Sequence, residues 1–184
     1  MGILTFKDAF DKHRKKFSVI RLNDKEIHNC VHYIRSVVKQ QCNTAKLTQN
    51  NQKYKDMFLE ICAITAISNR VDHPFIDYKN TKTPPIDQFR SVVGKWFDVI
   101  IFNYNEFPIF YHPMHKKAIF VCKLSDTEFV ICGFGTRYVI NSFHSKSLIQ
   151  NHVIREQSTM SAFYGFEHLR GIPNNIYDFK NLTQ

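Results

Sequence analysis

The sequence predicts a single α/β domain in which N-terminal helices pack on a mixed, largely antiparallel sheet. Apolar residues recur at helical spacing up to about residue 71, and short apolar strands follow between residues 93 and 141. A chain of 184 residues with 43% hydrophobic content is long enough for one core of ordinary size and too short for two. We therefore treat residues 1–184 as one domain, with a basic helical part at 1–50, a core at 52–150 and an irregular aromatic tail at 158–184.

Two helices are predicted in the N-terminal part. Residues 6–17 form a short basic helix. The second helix opens at Asn23, an N-cap residue type, and Glu26 stands three positions later, as in a capping box. One apolar stripe at helical spacing packs this helix, and it consists of Ile27, Val31, Ile34 and Val38.

A third helix is predicted after the polar connection at 41–50. It begins near Gln52 and ends before Pro74, because proline disfavours a helical residue in front of it. The segment 57–67 carries a single charge, Glu60, so this helix is expected to be buried on more than one face.

The first predicted strand is apolar on both faces. Successive side chains of a strand point to opposite sides of the sheet. A strand with two apolar faces is expected inside the sheet and covered on both sides. One face carries Trp96, Asp98, Ile100 and Phe102, and the other carries Phe97, Val99 and Ile101.

Further strands are predicted after this one. The turn at 124–127 connects 118–123 with 128–134 in a hairpin. Residues 138–141 add a strand, and residues 145–151 turn into a short helix. Aromatic side chains of the tail are available to cover an open face of the sheet.

The composition indicates a protein that attracts polyanions. The chain has 25 Lys and Arg against 16 Asp and Glu, which gives a formal charge of +9. Such a field attracts phosphate backbones, although small lysine-rich proteins are often basic without such a partner. The residues expected to contact phosphate without reading bases are Lys12, Arg14, Lys15, Lys16, Lys95 and Arg137. A merely solvated helix face is the alternative interpretation of the basic run.

The sequence favours an intracellular, cytoplasmic protein. No apolar run has the length of a membrane span, and the first residues lack the features of a signal peptide. No Cys-x-x-Cys motif is present, which argues against structural zinc. The cysteines are expected to be reduced core thiols, and they are Cys30, Cys42, Cys62, Cys122 and Cys132.

Two acidic residues stand within apolar segments. Asp98 lies in the first strand and Glu60 in the third helix. An ionised carboxylate in such surroundings is costly unless a metal, a basic group or a hydrogen-bond network pairs with it. Each acid is therefore either part of a buried ion pair or a functional group.

A helix with Glu60, followed by a strand with Asp98 and a run of antiparallel strands, resembles the core of the PD-(D/E)XK nuclease superfamily. This is the fold of many restriction enzymes and phage nucleases. The resemblance covers residues 52–150 and rests on the order of the elements and on their pattern. It implies a restriction-endonuclease-like fold, in which an acid on the helix and acids on two adjacent strands gather a divalent metal beside a lysine.

The resemblance assigns a role to each candidate site residue. Glu60 would be the helix acid and Asp98 the first-strand acid. The acid-x-lysine motif of the next strand is missing, so Glu106 is carried over as a weaker third metal ligand. Lys116 or Lys123 would stabilise the developing charge. Phosphodiester hydrolysis of this kind needs hard oxygen ligands for Mg²⁺, which polarises the phosphate and lowers the pKa of the attacking water.

Three further motifs offer candidate acids or histidines for a functional site. An alternative alignment makes Asp87 the leading acid and sets 98–100 in the place of acid-x-lysine, but it lacks the lysine. His28 and His32 have metal-ligand spacing on a helix, yet solvent-facing histidines are the expected outcome. The turn at 112–115 offers histidines as a general base or a phosphate contact.

One glycine motif is interpreted as structural. Gly133 and Gly135 form a lone Gly-x-Gly, for which a tight bend or bulge is a better account than a dinucleotide site.

The sequence thus predicts a metal-dependent, nuclease-like protein that acts on DNA, with Mg²⁺ as its cofactor if it is active. The alternative is a catalytically silent nuclease-like module that binds nucleic acid or a protein partner through its basic surface. A third hypothesis is an interaction protein whose exposed aromatic side chains hold a partner. A homodimer is compatible with each of them.

Overall fold

Helices dominate the N-terminal part of the molecule and short strands the C-terminal part. The computed structural model describes residues 4–41 and 51–183. Within these ranges the helices are α1 (Phe6–Phe10), α2 (Asp24–Gln41), α3 (Asn51–Val71), α4 (Pro85–Val93), α5 (Arg137–Ser142), α6 (His152–Glu156) and α7 (Ile176–Thr183). The strands are β1 (Ser18–Arg21), β2 (Phe97–Asn103), β3 (Ile109–Tyr111), β4 (Lys117–Lys123), β5 (Glu128–Gly135), β6 (His144–Ser145) and β7 (Met160–Phe163). Short 3₁₀ helices occupy Asp11–Lys16, Lys146–Leu148 and Phe166–His168.

The strands form two sheets. A four-stranded sheet has the order β1-β5-β4-β2, in which only the β2–β4 pair is parallel. A small antiparallel sheet has the order β3-β7-β6. The prediction of a single α/β domain with a mixed, largely antiparallel sheet is therefore confirmed.

Two hydrophobic cores lie on opposite faces of the four-stranded sheet. One core joins the sheet to the helices, and fully buried isoleucines of α3 form its centre: Ile61, Ile64 and Ile67. The other core is rich in aromatic rings, with Phe120 of β4 stacked on Phe163 of β7 at a centroid distance of 4.5 Å. Both faces of the sheet are thus covered, which explains why its strands read as nearly continuous apolar runs.

Strand β2 lies at an edge of the sheet, and the prediction of an interior strand was wrong. Its faces are nevertheless covered, because Phe97 packs in the helical core while Ile100 and Phe102 pack in the aromatic core. The apolar pattern of β2 indicates that both of its faces are buried. It does not indicate whether β2 has a neighbouring strand on one side or on both. At the open edge, Arg90 Nε donates a hydrogen bond to the Phe97 carbonyl at 3.2 Å.

The predicted helix starts and lengths are largely confirmed. The Asn23 N–H donates to Glu26 Oε2 at 2.7 Å, and the Glu26 N–H donates to Asn23 Oδ1 at 3.0 Å, which completes the predicted capping box. The predicted helix at 6–17 is divided between α1 and the following 3₁₀ helix. The third helix begins and ends as predicted. The predicted connection at 41–50 lies outside the described residues beyond residue 41.

The segment after β5 differs from the prediction. Residues 138–141 belong to helix α5 and do not add a strand. Thr136 decides this local structure, because its side chain accepts a hydrogen bond from the Val139 N–H at 3.3 Å and so caps the helix. A short apolar run is compatible with a strand or with a helix, and only the capping residue in front of it distinguishes the two. The short helix expected at 145–151 is found as a 3₁₀ helix at Lys146–Leu148, ahead of α6.

The C-terminal tail is more regular than predicted. The segment 158–184, expected to be irregular, contains β7 and α7. Phe163 and Phe179 from these elements are completely buried, one in each core. The expectation that tail aromatics cover the sheet is confirmed.

A bulge in β5 explains one of the two glycines of the Gly-x-Gly motif. Phe120 and Val121 of β4 pair with Gly133 and Ile131, so Cys132 is an extra residue in β5. Gly133 has φ of +124°, and a Cβ at this position would collide with the Arg170 carbonyl oxygen. The predicted bulge is confirmed.

Within the residues that the structure describes, no helix combines the length and the apolarity that a membrane span requires.

Candidate functional site

A charged cluster surrounds Asp98 at the start of β2. Arg90 Nη2 donates to Asp98 Oδ1 at 2.9 Å, and Lys116 Nζ lies 3.6 Å from Asp98 Oδ2. The Val99 N–H also donates to Asp98 Oδ1, at 3.0 Å. The Asp98 side chain is 27% exposed, so this carboxylate lies at the rim of the fold and not in a closed core.

The parallel pairing of β2 with β4 places Lys116 beside Asp98. The Lys117 N–H donates to the Trp96 carbonyl at 3.0 Å, and Phe97 is paired with Lys117. Lys116 therefore stands level with Trp96, next to the start of β2. We call this end of the sheet the Asp98 end.

Arg90 joins helix α4 to the edge of β2. Besides Asp98 and the Phe97 carbonyl, its guanidinium contacts Asp87, with Nη1 3.4 Å from Asp87 Oδ1. The guanidinium carries five N–H donors in a fixed plane, which lets one side chain serve several acceptors. One positive charge is thus shared between two acids from different elements.

Glu60 caps the N-terminus of α4. Its Oε1 accepts a hydrogen bond from the Ile86 N–H at 3.0 Å, and Ile86 lies in the first helical turn, where N–H groups lack intrahelical partners. Burial raises the pKa of Glu60, and the hydrogen bond from Ile86 and the charge of Arg90 act in the opposite direction. The carboxylates of Asp98 and Asp87 repel that of Glu60 and add to the increase in its pKa.

The structure brings Glu60, Asp98 and Lys116 into one region but not the other two candidates. Asn103 is paired with Lys123, and the rise of a strand puts Asp98 about 17 Å from Asn103. Glu106 accepts a hydrogen bond from Asn103 Nδ2 at 3.1 Å, and Lys123 forms an ion pair with Asp126 at 2.7 Å. Both candidates therefore lie at the opposite end of the sheet, which we call the Tyr104 end.

The alternative alignment with Asp87 as a leading acid does not describe a strand. Asp87 lies in α4, so the leading acid of that alignment stands on a helix. Asp87 nevertheless belongs to the Asp98 cluster through Arg90.

The donor set at Asp98 does not fit a magnesium site. Magnesium requires several oxygen ligands in octahedral geometry. The Asp98 oxygens face Arg90 and Lys116, and one oxygen of Glu60 is taken by a backbone N–H. Among residues 4–41 and 51–183, no three side chains of the His, Cys, Asp and Glu types are grouped to hold a metal ion. In this cluster the positive charges of Arg90 and Lys116 compensate the negative charge of Asp98.

The expected phosphate contacts fall into two groups. The basic turn, which we define as the 3₁₀ helix Asp11–Lys16, exposes four cations: Lys12, Arg14, Lys15 and Lys16. Tyr104 Oη donates to Asp11 Oδ2 at 2.9 Å and anchors this turn at the Tyr104 end. Lys95 directly precedes Trp96, and Arg137 follows Gly135, which is paired with Ala118 of β4. Lys95 and Arg137 therefore lie at the Asp98 end.

Sequence reasoning missed the exposure of Trp96. The side chain is 63% exposed, and Lys95 Nζ lies 5.6 Å from the centroid of its ring. The alternating pattern had assigned it to an apolar strand face. Gly94, which ends helix α4 two residues earlier, is the sequence feature that indicates a connection at this point.

A histidine pair lies near the small sheet. His112 and His144 stack with ring centroids 4.0 Å apart, and His144 Nδ1 lies 2.7 Å from Ser161 Oγ. His112 Nδ1 is buried and has no hydrogen-bond partner within the described residues. Burial lowers the pKa of His144, and repulsion from His112 adds to the decrease. His112 is therefore only partly exposed, whereas His115 of the same turn is exposed. A histidine contact with phosphate in this turn stays a prediction.

The predictions for the helix histidines and for the described cysteines are confirmed. His28 and His32 are exposed on α2. The cysteines that the structure describes are free and buried, and they are Cys30, Cys62, Cys122 and Cys132. Cys42 lies outside the described residues.

Comparison of the chain with protein-family models, with curated proteins and with solved structures found no match. The resemblance to PD-(D/E)XK nucleases remains a prediction.

Proposed function

We propose that this protein is a nuclease-like module that binds nucleic acid, with DNA as the favoured partner, through its basic surface. The observation that carries the proposal is the basic turn. Four exposed cations stand within five consecutive positions, and none of them forms an ion pair within the described residues. The acid of the same turn, Asp11, accepts hydrogen bonds from Tyr104. The positive field of the turn is therefore left for an external anion.

The geometry of the turn favours contacts with the phosphate backbone. His13 faces inward, 3.8 Å from Glu167, while its neighbours point to solvent. Flexible lysines on a short helix contact phosphates as point charges, and they carry no sequence information. Binding of this kind releases counterions and weakens steeply with added salt.

The first test is binding of a fluorescent DNA duplex measured by anisotropy at several salt concentrations. Replacing the four cations of the basic turn by Gln is expected to weaken binding and to reduce the slope of log K against log salt, by about 0.9 for each phosphate that is no longer neutralised. The matched control removes the same charge elsewhere, at four exposed lysines: Lys25, Lys79, Lys82 and Lys146.

Equal slopes for the two fourfold variants would contradict a specific role of the basic turn. Absence of binding by the wild type at low salt would contradict the proposal as a whole and would favour a protein partner.

DNA cleavage is the second candidate function, because Glu60, Asp98 and Lys116 lie in one region, although the oxygens of Asp98 face Arg90 and Lys116 and do not fit a magnesium site. In the resemblance these residues are the helix acid, the strand acid and the charge-stabilising lysine. The test is incubation of plasmid DNA with the protein and Mg²⁺ or Mn²⁺, beside the Asp98→Asn variant, which keeps the side-chain shape. Nicking by the wild type alone would support a nuclease, and equal inertness on several substrates would reject it.

A further inference from the structure

The only tryptophan of the chain projects from the Asp98 end of the sheet. We propose that Trp96 is a stacking platform for an unpaired base of a single-stranded nucleic acid, and that Lys95 contacts an adjoining phosphate. The inference rests on the proposed function, since it names the form of nucleic acid that the Asp98 end accepts.

The backbone under the Trp96 ring is held in place. Its carbonyl accepts a hydrogen bond from the Lys117 N–H at 3.0 Å, and the next side chain, Phe97, is 1% exposed. A large aromatic ring that stays 63% exposed on such a fixed backbone presents its apolar area at little cost in conformational entropy. Tryptophan is usually well buried in folded proteins, which makes this exposure informative.

Positive charge lies beside the ring. Lys95 Nζ is 5.6 Å from the ring centroid, and Lys116 stands level with Trp96 on the neighbouring strand. The exposed Arg137 lies at the same end of the sheet. Asp98 repels a phosphate, but Arg90 and Lys116 offset its charge. Phosphates are therefore expected on the Lys95 side of the ring, away from Asp98.

The chemistry of the platform selects single strands. In a duplex each base is stacked on its neighbours and paired, so an aromatic side chain cannot reach its face. An unpaired base offers its π-face, and stacking on an aromatic ring tolerates any base. Aromatic rings interleaved with cations are the usual construction of single-strand sites.

The single tryptophan also supplies the measurement. Stacking of a base on Trp96 is expected to quench its emission, and no second tryptophan contributes to the signal. Titration of the full chain with a single-stranded oligonucleotide should therefore quench emission, and the matching duplex should quench it much less.

Affinities of labelled oligonucleotides are then compared by anisotropy, which does not depend on tryptophan. Trp96→Ala is expected to weaken single-strand binding by about 5- to 150-fold and to leave duplex binding nearly unchanged. Trp96→Phe, which keeps an aromatic face, should recover part of the loss. The matched control is Tyr177→Ala on α7, which removes a ring that is 80% exposed. Unfolding midpoints confirm that each variant is folded.

Unchanged single-strand affinity in Trp96→Ala, or unchanged emission at saturation, would overturn the inference. If binding with a steep salt dependence persisted in that case, the proposed function would stand without the stacking platform. If neither single strands nor duplex bound at low salt, the proposed function and the inference would both fail.

Discussion

At the scale of single residues, the structure resolves how two acids are accommodated in apolar segments. The sequence predicted that Asp98 requires a partner, and this follows from the cost of burying a charge. The identity of that partner could not be predicted, because Arg90 reaches Asp98 only when α4 packs beside the edge of β2. Glu60 has a backbone partner, the Ile86 N–H, that no residue pattern encodes.

Glu60 provides a prediction about stability. Burial raises its pKa above the usual value of 4.5, so the ionised carboxylate makes folding less favourable as the pH rises from 4.5 through the folded-state pKa. Glu60→Gln keeps an oxygen acceptor for the Ile86 N–H without the charge. We expect Glu60→Gln to be at least as stable as the wild type at pH 7, as measured by urea unfolding, with the difference vanishing below about pH 4.

Glu60→Ala is the contrasting variant. It leaves the Ile86 N–H without an acceptor, which is expected to lower the free energy of unfolding by about 1–3 kcal/mol. A wild type that is clearly more stable than Glu60→Gln at pH 7 would show that attraction to Arg90 outweighs the cost of burial.

At the scale of secondary-structure elements, local features were predictable and pairings distant in the chain were not. The helix start at Asn23 and the hairpin around 124–127 follow from residues within one turn of each other. The parallel pairing of β2 with β4 requires the chain to pass through β3 in the other sheet. No local pattern marks that crossover, so the edge position of β2 was missed. The convergence of Lys116 with Asp98 depends on the same pairing.

The bulge in β5 gives a prediction at this scale. Gly133→Ala combines a positive φ with a collision against the Arg170 carbonyl, so it should lower the free energy of unfolding by well over about 1 kcal/mol. Gly94→Ala shares the positive φ, at +101°, but has no atom within 4 Å of the added Cβ. Gly171→Ala has neither obstacle. Urea unfolding should rank Gly133→Ala as the least stable and Gly171→Ala as nearly neutral.

Equal losses of stability for Gly133→Ala and Gly94→Ala would show that the close approach of Arg170 contributes nothing and that backbone strain alone is measured.

At the scale of the whole molecule, positive charge is divided between the two ends of one strand. The basic turn lies at the Tyr104 end, and Lys95 with Trp96 lies at the Asp98 end. Trp96 and Tyr104 are eight positions apart, which corresponds to about 26 Å along an extended chain. A nucleic acid that contacts both ends must therefore span about this distance in the direction of β2.

This separation predicts a dependence on the length of the bound strand. A stacked strand rises about 3.4 Å per nucleotide, so roughly eight nucleotides are needed to bridge the two ends. Wild-type affinity, measured by anisotropy, should rise sharply between oligonucleotides of about four and about ten nucleotides. The variant with a neutralised basic turn should lack this rise, because only one end still binds. The same length dependence in both proteins would contradict a two-ended surface.

Arg90 has a wider consequence for the behaviour of the fold. Its guanidinium occupies the space between Asp87 and Asp98 and acts as an internal counterion that is covalently part of the chain. A bound ion exchanges with the medium, whereas a side chain remains at a fixed stoichiometry whatever the ionic composition. The junction of α4 with β2 is therefore expected to keep its geometry in the presence of chelators, whether or not a nucleic acid is bound at the Asp98 end.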